Sequence, residues 1–191
     1  MRNIILTLIL LVFIVSCKKN IEKKDRLDNN VNNVVQSEKK VSFDIPLYKD
    51  IFNKKLIGLS IKDSSQTKMY ERYWLDFYST CMWNSLSIYI DTSKQKIYFS
   101  RYSEDFDLKE IDIIYSFEIS EVRKEATSIN FTLLDDKKTY SISFFKLNEE
   151  ELYRFKIDSL LKETDMGRHE YYIDKSKERG FSKEDCGDFE G

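Results

Sequence analysis

Three cysteines and a single histidine are the side chains of this sequence best suited to nucleophilic or soft-metal chemistry. His169 has no HExxH motif and no His/Cys cluster at zinc spacing around it. A lone histidine of this kind reads as a surface or packing residue rather than a ligand. Cys81 could pair with His169 as nucleophile and base, but no spacing recommends it. Gly58-Leu59-Ser60 lacks the second glycine of a nucleophile elbow. Five scattered glycines make no phosphate loop. No catalytic residue is therefore assigned. Among the carboxylates, Asp105 and Asp107, with Glu104 and Asp112 nearby, could hold calcium through oxygen ligands, although nothing of the EF-hand pattern accompanies them. Asp185, Asp188 and Glu190 make a second acidic group, read as a solvated tail. The aromatic cluster Trp74, Phe77, Tyr78 and Trp83 reads first as core. If one face is exposed, Trp74, Tyr78 and Trp83 become anchors for a partner, because Trp and Tyr are enriched at binding hot spots.

The remaining cysteine, Cys17, closes a different pattern. Arg2 gives a short positive start, and Ile4 to Val15 is an apolar run broken only by Thr7. A run of about a dozen residues is short of the roughly 20 that span a bilayer, and it has the parts of an export signal. It ends in Ile14-Val15-Ser16-Cys17, which resembles the lipobox of bacterial lipoproteins: an aliphatic residue, a tolerant position, a small residue, then cysteine. The resemblance implies a signal peptide over residues 1–16, cleaved before Cys17. It also implies a diacylglycerol on the Cys17 sulfur and a fatty-acyl chain such as palmitate on its amine. One acyl chain holds only marginally, at about 0.8 kcal/mol per buried CH₂. Two or three on one residue hold persistently, so the resemblance places the chain in the cell envelope, tethered to a membrane without spanning it. It leaves open which membrane and which leaflet.

Cys81 and Cys186 then form an even pair in an exported protein. They could form a disulfide. The alternative is a buried thiol at Cys81 and a free one near the C-terminus.

The remaining composition is that of one globular domain. Hydrophobic residues are 41% and charged residues 34%, with one Pro, 13 Phe and 12 Tyr. Fibrous and Pro-rich classes are excluded. A net charge of −2, without a basic strip interleaved with aromatics, argues against a nucleic-acid partner. The charge is unevenly placed. Residues 18–40 hold seven Lys/Arg and four Asp/Glu, a balance of +3, whereas residues 41–191 hold 23 and 29, a balance of −6. Each Lys or Arg beside an anionic leaflet adds about 1 kcal/mol of attraction, so the basic segment either assists the lipid or serves only as soluble spacer. It is rich in Lys and Asn and free of aromatics, so residues 17–40 read as the lipidated cysteine and a disordered tether. As a coil it would span about 27 Å.

The elements that must position any site are strands. Ile57, Leu59 and Ile61 alternate, as do Leu86, Ile88 and Ile90, then Ile97 and Phe99. Asp91-Thr92-Ser93-Lys94 is turn chemistry between two of them. Ile111 to Val122, then Ile129, Phe131, Leu133, then Tyr140, Ile142, Phe144 continue the pattern. Phe43, Ile45 and Leu47 also alternate, with Pro46 marking an edge or turn. Residues 70–78 fit either a helix or a strand, with a lean to strand, and residues 151–161 are divided between the same two. Met166 to Arg179 reads as a helix ended by Gly180, and Ser182 to Asp185 as the cap of a last turn. The expectation is a mainly β (α+β) domain over 41–191, an antiparallel meander or partly closed barrel of about 6–8 strands with a C-terminal helix.

These readings predict a membrane-tethered envelope lipoprotein with a non-enzymatic, inhibitor- or immunity-like binding module, its partner an envelope protein or glycan. Beyond the covalent lipid no cofactor is expected. The alternative is an envelope hydrolase using paired carboxylates, with calcium as its one candidate metal; it requires two carboxyl groups about 5 to 9.5 Å apart in one cleft.

Overall fold

Period-two alternation sends one face of each strand inward, and this builds nearly all of the domain. A computed structural model describes residues 40–81, 85–101, 113–136, 138–147, 151–162 and 164–187. All of them lie in one unit, Lys39–Gly191. Cys17, the signal, the tether, Trp83, Asp105 and Asp107 lie outside the described residues. Among the described residues no helix is long and apolar enough to cross a membrane.

The strands are β1 (Lys55–Ile61), β2 (Tyr73–Leu75), β3 (Leu86–Asp91), β4 (Lys96–Arg101), β5 (Ile113–Lys124), β6 (Ser128–Asp135), β7 (Lys138–Leu147), β8 (Leu152–Ile157), β9 (Tyr171–Asp174) and β10 (Ser182–Lys183). From β3 to β9 each strand pairs antiparallel with the next. β1 joins both ends, pairing with β3 at Leu56↔Ile88 and with β9 at Gly58↔Tyr172. Eight strands thus form a closed antiparallel barrel, and closure removes the open edges on which a sheet aggregates. Register shifts at Phe99/Ser100 and Ile119/Glu121 mark bulges that bend the longer strands around the barrel. The Asp91 turn forms as its residues suggest, with Asp91 Oδ1 accepting from the backbone N–H of Ser93 and Lys94.

An eight-stranded barrel is narrow enough for side chains to fill. Leu56, Ile88, Phe99, Phe131, Phe144, Phe155 and Tyr172 all belong to the interior. Phe155 sits 5.1 Å from Phe144 and 5.2 Å from Tyr172 between ring centroids. Each such ring contributes about 1.5–3 kcal/mol by leaving water.

A second apolar cluster lies on the other face of β1. Ile57 and Leu59 meet Met69, Tyr73, Leu75, Leu152, Ile173 and Phe181 there. β1 is therefore covered on both faces. The covering layer is α1 (Met69–Arg72), β2 and β10, which pairs parallel to β2 at Ser182↔Trp74; α2 (Phe77–Thr80) follows β2 in the chain.

Four expectations need correction. Residues 43–46 alternate in exposure, but Leu47 is exposed like Pro46 and no strand forms; Pro46 opens a 3-10 turn, Pro46–Ile51, that buries Tyr48 and Ile51. Residues 70–78 are neither one helix nor one strand, but α1, β2 and the start of α2 in succession. The C-terminal helix over 166–179 is absent. Strand β9 runs there between 3-10 turns Asp165–Gly167 and Lys175–Gly180, because Tyr172 faces the barrel and Ile173 the second cluster. Gly180 does end the second turn, and a Cβ on it would run into the Tyr70 ring. Ser182 to Asp185 caps nothing, since its first two residues form β10. The divided stretch 151–161 resolves as β8 followed by the short turn α3 (Ser159–Lys162).

Candidate functional site

The site grows from Asp76, which lies between β2 and α2. As N-cap of α2, its Oδ1 accepts from the Ser79 backbone N–H and hydroxyl, each at 3.1 Å. Its Oδ2 accepts from Ser60 Oγ at 2.7 Å, which ties the cap to β1. His169 approaches from the segment before β9, with Nε2 3.3 Å from Oδ2 and 3.4 Å from Oδ1. The other ring nitrogen, Nδ1, faces Ser85 Oγ at 3.4 Å, just before β3. The His169 side chain is 1% exposed.

Gly58 makes room for this ring. A Cβ on Gly58 would stand 2.6 Å from His169 Cγ and 2.7 Å from Nδ1, so the backbone of β1 is itself one wall of the histidine's slot. Period two puts Gly58 and Ser60 on the same face of β1, so adjacent inward positions supply the wall and the hydroxyl.

Burial pushes the Asp76 carboxyl up. Hydrogen bonds from His169, Ser60 and Ser79, together with the charge attraction of His169, outweigh it and hold the carboxyl well below the usual carboxylate range. The group stays ionised and acts as an acceptor for several donors at once.

Ser85, His169 and Asp76 stand in the order of a nucleophile, base and orienting acid. The geometry does not support that chemistry. Ser85 is 1% exposed, which closes its hydroxyl to a substrate. Asp76 is shared among three other donors. The cluster is a charge-assisted clamp that fastens α2 to the barrel.

The other end of α2 is fastened as well. Its C-cap, Cys81, is bonded to Cys186 with an S–S distance of 2.07 Å. A four-residue helical turn is too short to persist alone; here a carboxylate holds one end and a disulfide the other. What the turn presents outward is aromatic. Phe77 is 36% and Tyr78 47% exposed, with ring centroids 6.2 Å apart at a steep angle. The Arg168 guanidinium stacks 4.5 Å over Tyr78 and pairs with Asp165 at 2.7 Å. Arg168 and His169 are consecutive, so one dipeptide sends a cation to the surface and an imidazole to the clamp.

The sequence reading of Phe77 and Tyr78 as core is thus corrected, since the turn faces them outward. Trp74 is half-buried on β2, with the Lys62 ammonium 5.6 Å from its ring. Among the described residues no group of three or more His, Cys, Asp or Glu could hold a metal ion. Gly58, Ser60, Asp76 and Ser85 escaped the sequence reading as site residues. Two signals were present: Asp76 to Ser79 has N-cap spacing, and a glycine inside a strand marks close approach.

No family model matches this chain, and no curated protein and no solved structure matches it either. The fold and the site define its class by geometry alone: a filled meander barrel carrying a short turn, clamped at both ends, that displays an aromatic pair and an arginine.

Proposed function

We propose that this chain is a lipid-anchored cell-envelope protein whose barrel is a non-enzymatic binding module, inhibitor- or immunity-like, for an envelope protein. The observation that carries the binding reading is the surface made by Phe77 and Tyr78 of α2 with Arg168, which reaches Tyr78 from the turn Asp165–Gly167. Tyr and Arg lead the residue types found at hot spots. A turn fixed beforehand by Asp76 and by Cys81 loses little freedom on binding, which is how preorganisation strengthens a contact. The lipobox at Cys17 supports the anchor. The Cys81–Cys186 bond belongs to an oxidising compartment and supports export.

The test has two arms. Metabolic labelling with a fatty-acid probe is expected to tag the wild type and miss Cys17→Ser; equal labelling of both, or of neither, removes the anchor. For binding, a photo-crosslinking residue is placed at Phe77 of the full chain in its own envelope. One reproducible adduct is expected, lost in a Tyr78→Ala/Arg168→Ala version that keeps the wild-type melting curve. No adduct, or one indifferent to those changes, refutes the binding reading.

A further inference from the structure

The Cys81–Cys186 bond fastens α2, and it also brings the chain beyond Cys186 to the aromatic surface. Cys81 is the C-cap of α2, and its backbone N–H donates to the Phe77 carbonyl at 2.9 Å. Residues three and four apart on a helical turn lie about 5–6 Å from one another, and the Cα atoms of Cys81 and Cys186 are 5.4 Å apart. Cys186 therefore stands within about 11 Å of both Phe77 and Tyr78. The sequence continues Gly187-Asp188-Phe189-Glu190, and residues 188–191 lie outside the described residues. Gly187 has a φ of 63°, and its N–H donates to Asp185 Oδ1 at 3.1 Å, so the chain turns directly after the bond. At about 3.3–3.6 Å per residue, Phe189 can stand up to about 10 Å from Cys186 before the length of its side chain is added.

What this segment carries matches what the surface offers. Phe189 is an aromatic residue between two carboxylates, Asp188 and Glu190. Carboxylates alone would keep such a segment in water; the ring between them gives it apolar area to bury. The surface is an exposed aromatic pair, Phe77 and Tyr78, beside the Arg168 cation. Aromatic rings favour offset or edge contacts, and Phe77 and Tyr78 already meet edge-on at 82°, an arrangement that a third ring can extend. Asp165 bonds Arg168 through one nitrogen, Nη2. A guanidinium carries five N–H donors in all, so the fork can take a second carboxylate. A short linker sets an effective concentration on the order of 1 mM. A contact with a dissociation constant of about 1 mM, too weak to hold a separate peptide, is then made about half of the time.

We propose that Asp188-Phe189-Glu190 folds back in cis onto this surface, with Phe189 against Phe77 and Tyr78 and a flanking carboxylate on Arg168, and that an outside partner must displace it. The proposal rests on the reading of Phe77, Tyr78 and Arg168 as a binding surface and adds a regulation to it. Clearing a surface that is occupied about half of the time raises a partner's apparent affinity about twofold.

The test places a photo-crosslinking residue at Phe189 of the full chain in a non-ionic detergent and maps the adducts by mass spectrometry. An intramolecular adduct to the peptide holding Phe77 and Tyr78, or to Arg168, is expected. It should weaken fivefold or more in Tyr78→Ala/Arg168→Ala and at least twofold in the milder Arg168→Gln, with thermal melts establishing that both versions fold. Mixing isotope-labelled and unlabelled chains separates cis from trans. Adducts that join a labelled to an unlabelled chain mean a second copy and overturn the proposal. Adducts spread over the barrel without preference, a cis adduct indifferent to both variants, or no adduct at all overturn it too. In the envelope, Phe189→Ser/Asp188→Asn/Glu190→Gln is expected to raise the partner adduct from Phe77 about twofold or more; a partner adduct that stays the same or falls overturns the displacement. A cis adduct without any partner adduct at Phe77 supports the fold-back and refutes the binding reading, whereas a partner adduct without a cis adduct does the reverse.

Discussion

Gly58→Ala is the sharpest probe of the clamp. The new methyl would meet His169 Cγ at 2.6 Å, Nδ1 at 2.7 Å and Cβ at 2.9 Å. Ordinary carbon contacts begin near 3.5 Å, so the ring must retreat by the better part of an ångström. It has nowhere to go without leaving Asp76, because Ser85 closes its other side. Two costs follow. Overpacking a filled site costs about 1–3 kcal/mol. Losing a hydrogen bond to the charged Asp76 carboxylate costs about 1.5–3 kcal/mol. Together these give about 2.5–6 kcal/mol. At about 2–4 °C per kcal/mol for a domain of this size, the melting temperature falls by roughly 5–24 °C. Urea denaturation of wild type, Gly58→Ala, His169→Ala and the double variant measures both the cost and its origin. With the ring gone only the 2.9 Å contact to Cβ remains, so Gly58→Ala in the His169→Ala background is expected to cost at least about 1.5 kcal/mol less than in the wild type. A single-variant cost below about 1 kcal/mol, or the same cost in both backgrounds, refutes the clamp.

Two further outcomes follow. The Cys81–Cys186 bond closes a loop of 105 residues, for which chain entropy gives about 4.7 kcal/mol; Cys81→Ser/Cys186→Ser should lose stability on that order in denaturant melts, with reductant shifting the wild type but not the variant, and a loss below about 1 kcal/mol would contradict the fastening role. Because the folded-state pKa of Asp76 is depressed, its stabilising contribution is complete above the unfolded value near 3.9 and is lost as pH falls below it; Asp76→Asn should therefore trail the wild type by about 1.5–3 kcal/mol at pH 7, the gap closing toward pH 2, whereas a gap constant from pH 7 to 2 would exclude the charge as its source.

The barrel was largely legible because alternation is a local signal and each of β3 to β8 carries it. β9 was not, because four residues are too few to show a period and the Lys-rich turn after it, Lys175–Gly180, imitates a helix. α1, β2 and α2 failed for a related reason: elements of three or four residues are imposed by what they pack on, Ile57 and Leu59 for α1 and β2, and by what fastens them, Asp76 and Cys81 for α2. The site was hidden by distance along the chain. His169 meets an aspartate 93 residues before it and a serine 84 before it, and no local spacing encodes either meeting. The count of cysteines allowed a Cys81–Cys186 bond, but only the folding of β10 beside β2 brings the two together.

β1 explains why one small domain can carry two unrelated surfaces. Its Ser60 end holds Asp76 and, beside Gly58, His169; its Lys55 end borders a cleft lined also by Lys54, Asp174 and Arg179. At about 3.3 Å per residue these ends are roughly 17 Å apart, beyond the range over which substitutions usually couple. The strand between them is covered on both faces and held by β3, β9 and β2, so it has little freedom to transmit a shift. The clamp and the cleft should therefore respond separately. Loosening His169 would free the aromatic turn and leave the cleft's charge in place, while reversing Arg179 would change the cleft's charge and leave Phe77 and Tyr78 displayed.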